Sequence, residues 1–106
     1  MPAAPNRLDL LRGFIAQRPS DPFPRYALAQ ELKNGGDLNA AWDAYSDLMA
    51  QHPAYVPAYF HAGGVLVALG RRDEARTVFE RGVALCDQVG DGKTRAELLG
   101  ALAELG

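Results

Sequence analysis

Gly92-Lys93-Thr94 carries the residue types that end a phosphate-binding loop, and it is the stretch most suggestive of nucleotide chemistry. Such a loop needs a glycine five residues before Gly92, so that backbone N–H groups close around a phosphate, and a β-strand leading into it. Asp87 stands at that place and the surrounding pattern is helical, so the run reads as one helix ending and another beginning. His52 and His61 are the only histidines. Two imidazoles fall short of the three or four ligands that a transition metal recruits, and His52 reads as a solvated residue in a helix's last turn. Cys86 sits beside Asp87 with no neighbouring cation to hold a thiolate and no histidine assigned as its base. It reads as a partly buried structural thiol. No paired carboxylates lie in an apolar setting that would shift one of them into acid–base service. The expectation is a non-enzymatic chain with no metal and no cofactor.

Composition narrows the field further. A length of 106 residues suits one domain, and 48% hydrophobic content suits a globular one. The net charge of −2 argues against nucleic acid. Arg71, Arg72, Arg76 and Arg81 do cluster, but Asp73, Glu74 and Glu80 are interleaved with them. A single cysteine excludes an intrachain disulfide and suits a reducing compartment. No apolar run approaches a signal peptide or a membrane span, which makes cytoplasmic the expected location and excludes a membrane role.

The elements that would position any site are helices. Met1 to Pro5 reads as a flexible lead, and Asn6 caps a helix over about 7–18, with Leu8, Leu11, Phe14 and Ile15 as its apolar stripe. Asp21-Pro22 opens a second helix, to about Asn34, on Leu28, Ala29 and Leu32; Gly35-Gly36 ends it. Asp37 caps a third, about 38–51, with Ala41, Tyr45, Leu48 and Met49 inward. Pro57 opens a fourth, about 56–69, which Gly70 ends. A fifth covers about 72–88 on Ala75, Phe79, Val83 and Leu85, and Gly90-Asp91-Gly92 breaks it. A sixth is expected from Thr94, capped by a Thr94–Glu97 box, to about Leu105 on Leu98, Leu99, Leu102 and Leu105. With short turns between them, sequential helices must pack antiparallel, and the fold class is all-α.

These helices recur with a period of 34. Pro19, Pro53 and Asp87 keep that spacing, as do Gly36 with Gly70, Ala41 with Ala75, and Tyr45 with Phe79. A period in this range marks a stacked solenoid whose units bury their apolar faces against one another. Two full units cover 22–55 and 56–89, with half-units at 6–21 and 94–106 in a single domain over 6–106. In the last half-unit Arg95, Leu98 and Leu102 match Arg25, Leu28 and Leu32 at a spacing of 70, so the register has slipped by two.

Laid out this way, the chain resembles the tetratricopeptide repeat (TPR) family, whose unit is a 34-residue helix–turn–helix. Leu28, Ala29, Leu32, Gly36, Ala41, Tyr45, Leu48 and Pro53 follow that motif in the first unit. Tyr59, Ala62, Gly63, Leu66, Gly70, Ala75 and Phe79 follow it in the second. Departures are Arg25 at an aromatic place, Gly82 where the first unit has Leu48, and Asp87 at a proline place. The resemblance implies a right-handed α–α superhelix whose first helices line a concave face that holds an extended peptide or a helix. Carried onto this chain, the groove positions are Phe23, Tyr26, Gln30, Lys33 and Asn34, then Pro57, Phe60, Gly64, Val67 and Ala68, with Tyr55 at the rim. The lysine and asparagine clamp with which some members hold a terminal carboxylate is missing. Tyr26 and Phe60 are expected side by side on an apolar, aromatic wall that takes a protein or peptide partner. The alternatives are a second copy of the chain in that groove, giving a homo-oligomer, or the last helix folded over it. Trp42 is expected to pack over the first helix, and the arginines near Arg72 and Arg76 offer a fallback outer surface.

Overall fold

The computed structural model describes residues 6–106, and the lead expected over residues 1–5 lies outside them. Among the described residues there are six helices and no strand. They are α1 (Arg7–Gln17), α2 (Pro22–Asn34), α3 (Leu38–Gln51), α4 (Pro57–Ala68), α5 (Arg72–Val89) and α6 (Gly92–Leu105). Four begin on a side-chain oxygen that accepts from a first-turn N–H: Asn6 from Asp9, Asp21 from Phe23, Asp37 from Ala40, Asp91 from Thr94. The last of these corrects the expected Thr94–Glu97 box. Asp91 accepts from both the Thr94 backbone, at 3.0 Å, and its hydroxyl, at 2.8 Å. The helix therefore starts at Gly92, and those bonds hold the Asp91 carboxyl below its ordinary range.

The α2 and α4 ends match. Gly36 and Gly70 take φ of 83° and 78°, a region that a Cβ disfavours. The next N–H then reaches back across the turn, from Asp37 to the Leu32 carbonyl at 3.0 Å and from Arg71 to that of Leu66 at 2.9 Å. The α3 and α5 ends differ. Asp87 does not stop a helix as Pro53 does, so α5 runs for 18 residues against 14 in α3. Asp87 is instead tied to the following helix, accepting from Arg95 Nε at 2.7 Å.

Packing is strongest within α2–α3 and α4–α5 and between α5 and α6, in an elongated body of 52 × 29 × 19 Å. Helix approach is set by paired volumes. Ala29 and Tyr45 are both fully buried in the first pair; in the second, Gly63 lies so close to the Phe79 ring that a Cβ there would sit 2.2 Å from Cε1. The Gly82 departure has a similar reason. A Cβ there would meet Tyr59 Cβ at 2.8 Å and Leu98 Cδ1 at 2.9 Å, so its neighbours already fill the volume that Leu48 supplies in the first pair.

Two residues expected to be core are not. Phe14 is 47% exposed on α1 and Leu99 is 41% exposed on α6, whereas Leu11, Leu98 and Leu105 are buried. Phe14 corresponds to Leu48, and Leu99 to Ala29, both of which are fully sealed. The cause is the missing neighbour: within the described chain α1 has no first helix of its own, and α6 has no second.

Candidate partner-binding site

A cleft of about 310 Å³ opens where α4, α5 and α6 converge beside the end of α2. Phe60, Gly64 and Val67 give it one wall from α4, with Phe79 of α5 at its floor. The opposite wall is α6, through Ala101, Glu104 and Leu105. Lys33 and Arg72 stand in the same lining. The last helix therefore flanks the opening and does not close it. The expected apolar wall is present, but it is bordered by cationic side chains and a carboxylate.

Four of the expected groove residues meet there: Lys33, Phe60, Gly64 and Val67. Tyr26 and Tyr55 pair with each other instead, ring centroids 5.3 Å apart, and Gln30 is held internally. Gln30 accepts from the buried Tyr45 hydroxyl and donates to Tyr26 Oη at 3.2 Å. Burial, reinforced by Tyr26, keeps the Tyr45 phenol far above its ordinary pKa, so it remains a donor. Phe23 is well exposed but lies outside the cleft lining, as do Asn34, Pro57 and Ala68.

Tyr26 and Phe60 do not form the adjacent pair expected of them, because His61 stands between. Its ring is 5.9 Å from Tyr26 and 5.5 Å from Phe60, and it stacks near parallel on Tyr45 at 6.4 Å. Lys33 Nζ lies 3.4 Å from His61 Nδ1. Burial first, and then Lys33, lower the imidazole pKa; Glu97 pulls the other way. The ring is thus an uncharged spacer at neutral pH. His61 is the residue that sequence reasoning missed. The available signal was the single imidazole in α4, PAYFHAGGVLVA, where the corresponding place in α2 is Ala27.

The remaining candidates have structural roles. Lys93 lies in the first turn of α6, in the helix-to-helix break that was expected. Cys86 is fully buried, and burial with Asp91 and Asp87 nearby raises its thiol pKa despite Arg95. His52 is not the solvated residue expected: it caps α3, is half-buried, and its Nε2 is buried with no hydrogen-bond partner. Trp42 is half-buried against the core, with the Arg71 guanidinium 5.5 Å from its ring. Arg72 donates to the Leu105 carbonyl, and Arg76 to that of Gly106 at 3.3 Å. That arginine face is engaged in holding the end of α6. Among the described residues no three of His, Cys, Asp and Glu group as metal ligands, and no helix is long and apolar enough to cross a membrane.

A helix–turn–helix stack with a cleft between first helices defines a class of repeat protein. The crystal structure of a tetratricopeptide repeat domain protein from Salinibacter ruber is similar to this chain at 33% identity, with a TM-score of 0.76. The match covers 80% of this chain and 94% of that one. The solution structure of a Bordetella parapertussis protein has the same fold, with a TM-score of 0.80 over 96% of this chain and 89% of that one at 24% identity. An uncharacterised protein of Methanocaldococcus jannaschii is 35% identical over 60 residues, 57% of this chain and 70% of that protein. No protein-family model matches the chain. The chain belongs to the tetratricopeptide repeat family, and in general terms it is a protein-interaction module.

Proposed function

We propose that this chain binds an apolar segment of another protein, a peptide or one face of a helix, in the cleft between α4 and α6. The observation that carries the reading is an unfilled cleft with an apolar wall. Phe60, Val67, Phe79 and Leu105 border about 310 Å³ that no side chain among the described residues occupies. Its size is at the lower end of ligand pockets, enough for one or two side chains of a partner. Burying such a side chain contributes roughly 1.5–3 kcal/mol, which suits a recognition anchor within a larger contact. Lys33 and Arg72 at the border favour a partner with a carboxylate beside its apolar anchor, although Glu104 tempers that preference.

Gly64 allows a clean test. A Cβ at this exposed helical position meets nothing within 4 Å, so leucine can project into the cleft without disturbing the fold. Peptides selected from a random linear display library on the wild-type chain should lose about tenfold or more in affinity for Gly64→Leu, about 1.4 kcal/mol. Stability should hold or rise by about 0.5–1 kcal/mol, since a helical glycine is removed. Peptides that bind both proteins equally would move the site elsewhere. Dissociation of an oligomer by Gly64→Leu would put a second copy of the chain in the cleft instead.

A further inference from the structure

We propose that the cleft releases its apolar partner on acidification, with His61 and the neighbouring Lys33 as the pair that senses the proton. The inference rests on the cleft being the binding site and adds a regulation to it. His61 lines the same opening as Phe60, Val67, Phe79 and Leu105, so an anchor seated there covers an imidazole as well as hydrocarbon. Its surroundings are aromatic. Tyr26, Tyr45 and Phe60 have ring centres 5.9, 6.4 and 5.5 Å from that of His61, and the Tyr45 hydroxyl is committed to Gln30. Lys33 Nζ stands 3.4 Å from Nδ1, and Lys33 forms no ion pair among the described residues. A proton on His61 therefore sets two cations side by side on the wall against which the partner packs.

The charged groups around this ring come from each helix packed on it. Lys33 of α2, Arg72 of α5 and Glu104 of α6 share the cleft lining with it, and α3 contributes the Tyr45 phenol. Glu97 of α6 favours the proton but is outweighed by burial and Lys33, which lower the imidazole pKa. A partner side chain in the cleft strips more water from the ring and lowers it further. Binding thus keeps its full strength at a pH where His61 of the free protein is neutral. As pH falls through the free-state pKa toward the lower bound-state one, the ring must shed a proton before the anchor can seat. Affinity then falls by at most about tenfold per pH unit.

Peptides selected on the wild-type chain, free of histidine and capped at both ends, test the proposal, because their carboxylates stay ionised between about pH 7.5 and 5.5. The wild type should remain helical and bind them about threefold or more weakly at the lower pH, and His61→Gln should show no such loss. At about pH 6 the wild type should release part of a proton on binding, read calorimetrically in two buffers of unlike ionisation enthalpy, and His61→Gln none. Lys33→Met removes the nearby cation, so its loss of affinity should begin at a higher pH than that of the wild type. The same variant carries the test should His61→Gln lose helicity. Peptides that bind Gly64→Leu as well as the wild type would overturn the cleft and the switch together. Peptides that discriminate against Gly64→Leu, yet lose equal affinity on acidification for wild type and His61→Gln, would sink the switch alone. Affinity that rises as pH falls would place a partner carboxylate against the ring and overturn the proposal.

Discussion

In the α2–α3 pair Arg25 reaches across to Asp47, Nη1 to Oδ2 at 2.6 Å. Thirty-four residues on, Tyr59 and Arg81 hold those places, and the Arg81 guanidinium lies 5.5 Å from the centre of the Tyr59 ring. Both pairs tie a first helix to its second, one by an ion pair and the other by a cation over an aromatic face. The rest of each pair is adjusted to match. Arg25 leaves its Nε buried without a partner, whereas Tyr59 donates its hydroxyl to the Pro53 carbonyl at 2.6 Å. Leu48 is sealed in the first pair, and Gly82 cedes that volume to Tyr59 and Leu98 in the second. What recurs from repeat to repeat is filled space and one cross-link. The residue supplying each is free to change if its neighbours change with it.

The largest test of this comparison concerns volume. Leu48→Ala empties a sealed site and should cost on the order of 2–5 kcal/mol in urea unfolding. Gly82→Leu imports the first pair's residue into a filled site and should cost on the order of 1–3 kcal/mol. A stabilising Gly82→Leu would mean that the second pair is underfilled and that the two sites are alike. A smaller effect concerns the cross-link. Arg25→Tyr leaves Asp47 without its cation, and Asp47→Arg sets two cations together. The double change transplants the second pair's solution, so it should recover roughly 0.5–1 kcal/mol relative to the sum of the singles. Strict additivity would show that the swap is coincidental.

The smallest effect separates His61 from its counterpart Ala27. Burial and Lys33 lower the folded-state pKa of His61 below the ordinary 6.5, so the unfolded chain takes the proton first. Its neutral form therefore supports full stability above that value, and stability is lost as pH falls from there through the lowered pKa. The wild type should lose more melting temperature than His61→Gln between about pH 7.5 and 5.5. Equal losses would relieve His61 of the role.

Much of the fold was legible because its signals are local. Gly36 and Gly70 act within one turn of the residues they terminate, and the 34-residue period sets the stacking order with no long-range information. Local rivals were harder to rank. Thr94 and Asp91 both suit a cap, and the carboxylate won because it accepts from both the Thr94 N–H and its hydroxyl. The candidate site was legible only in part. Phe60, Gly64 and Val67 share one helical face, and a face can be read from spacing; that Gln30 bridges Tyr45 to Tyr26 cannot.

The sequence by itself determined an all-α repeat, its turns, and the helices that carry any groove, since periodicity and capping are properties of short stretches. Tertiary structure decided which side chains the groove retains. Tyr26, Tyr45, Phe60 and His61 come from three helices, and their ring separations depend on how closely those helices approach. It also decided that Phe14 and Leu99 stay exposed, although their spacing matches that of buried residues elsewhere. Apolar periodicity marks a face that packing would stabilise, and burial follows only where a neighbouring helix is there to cover it.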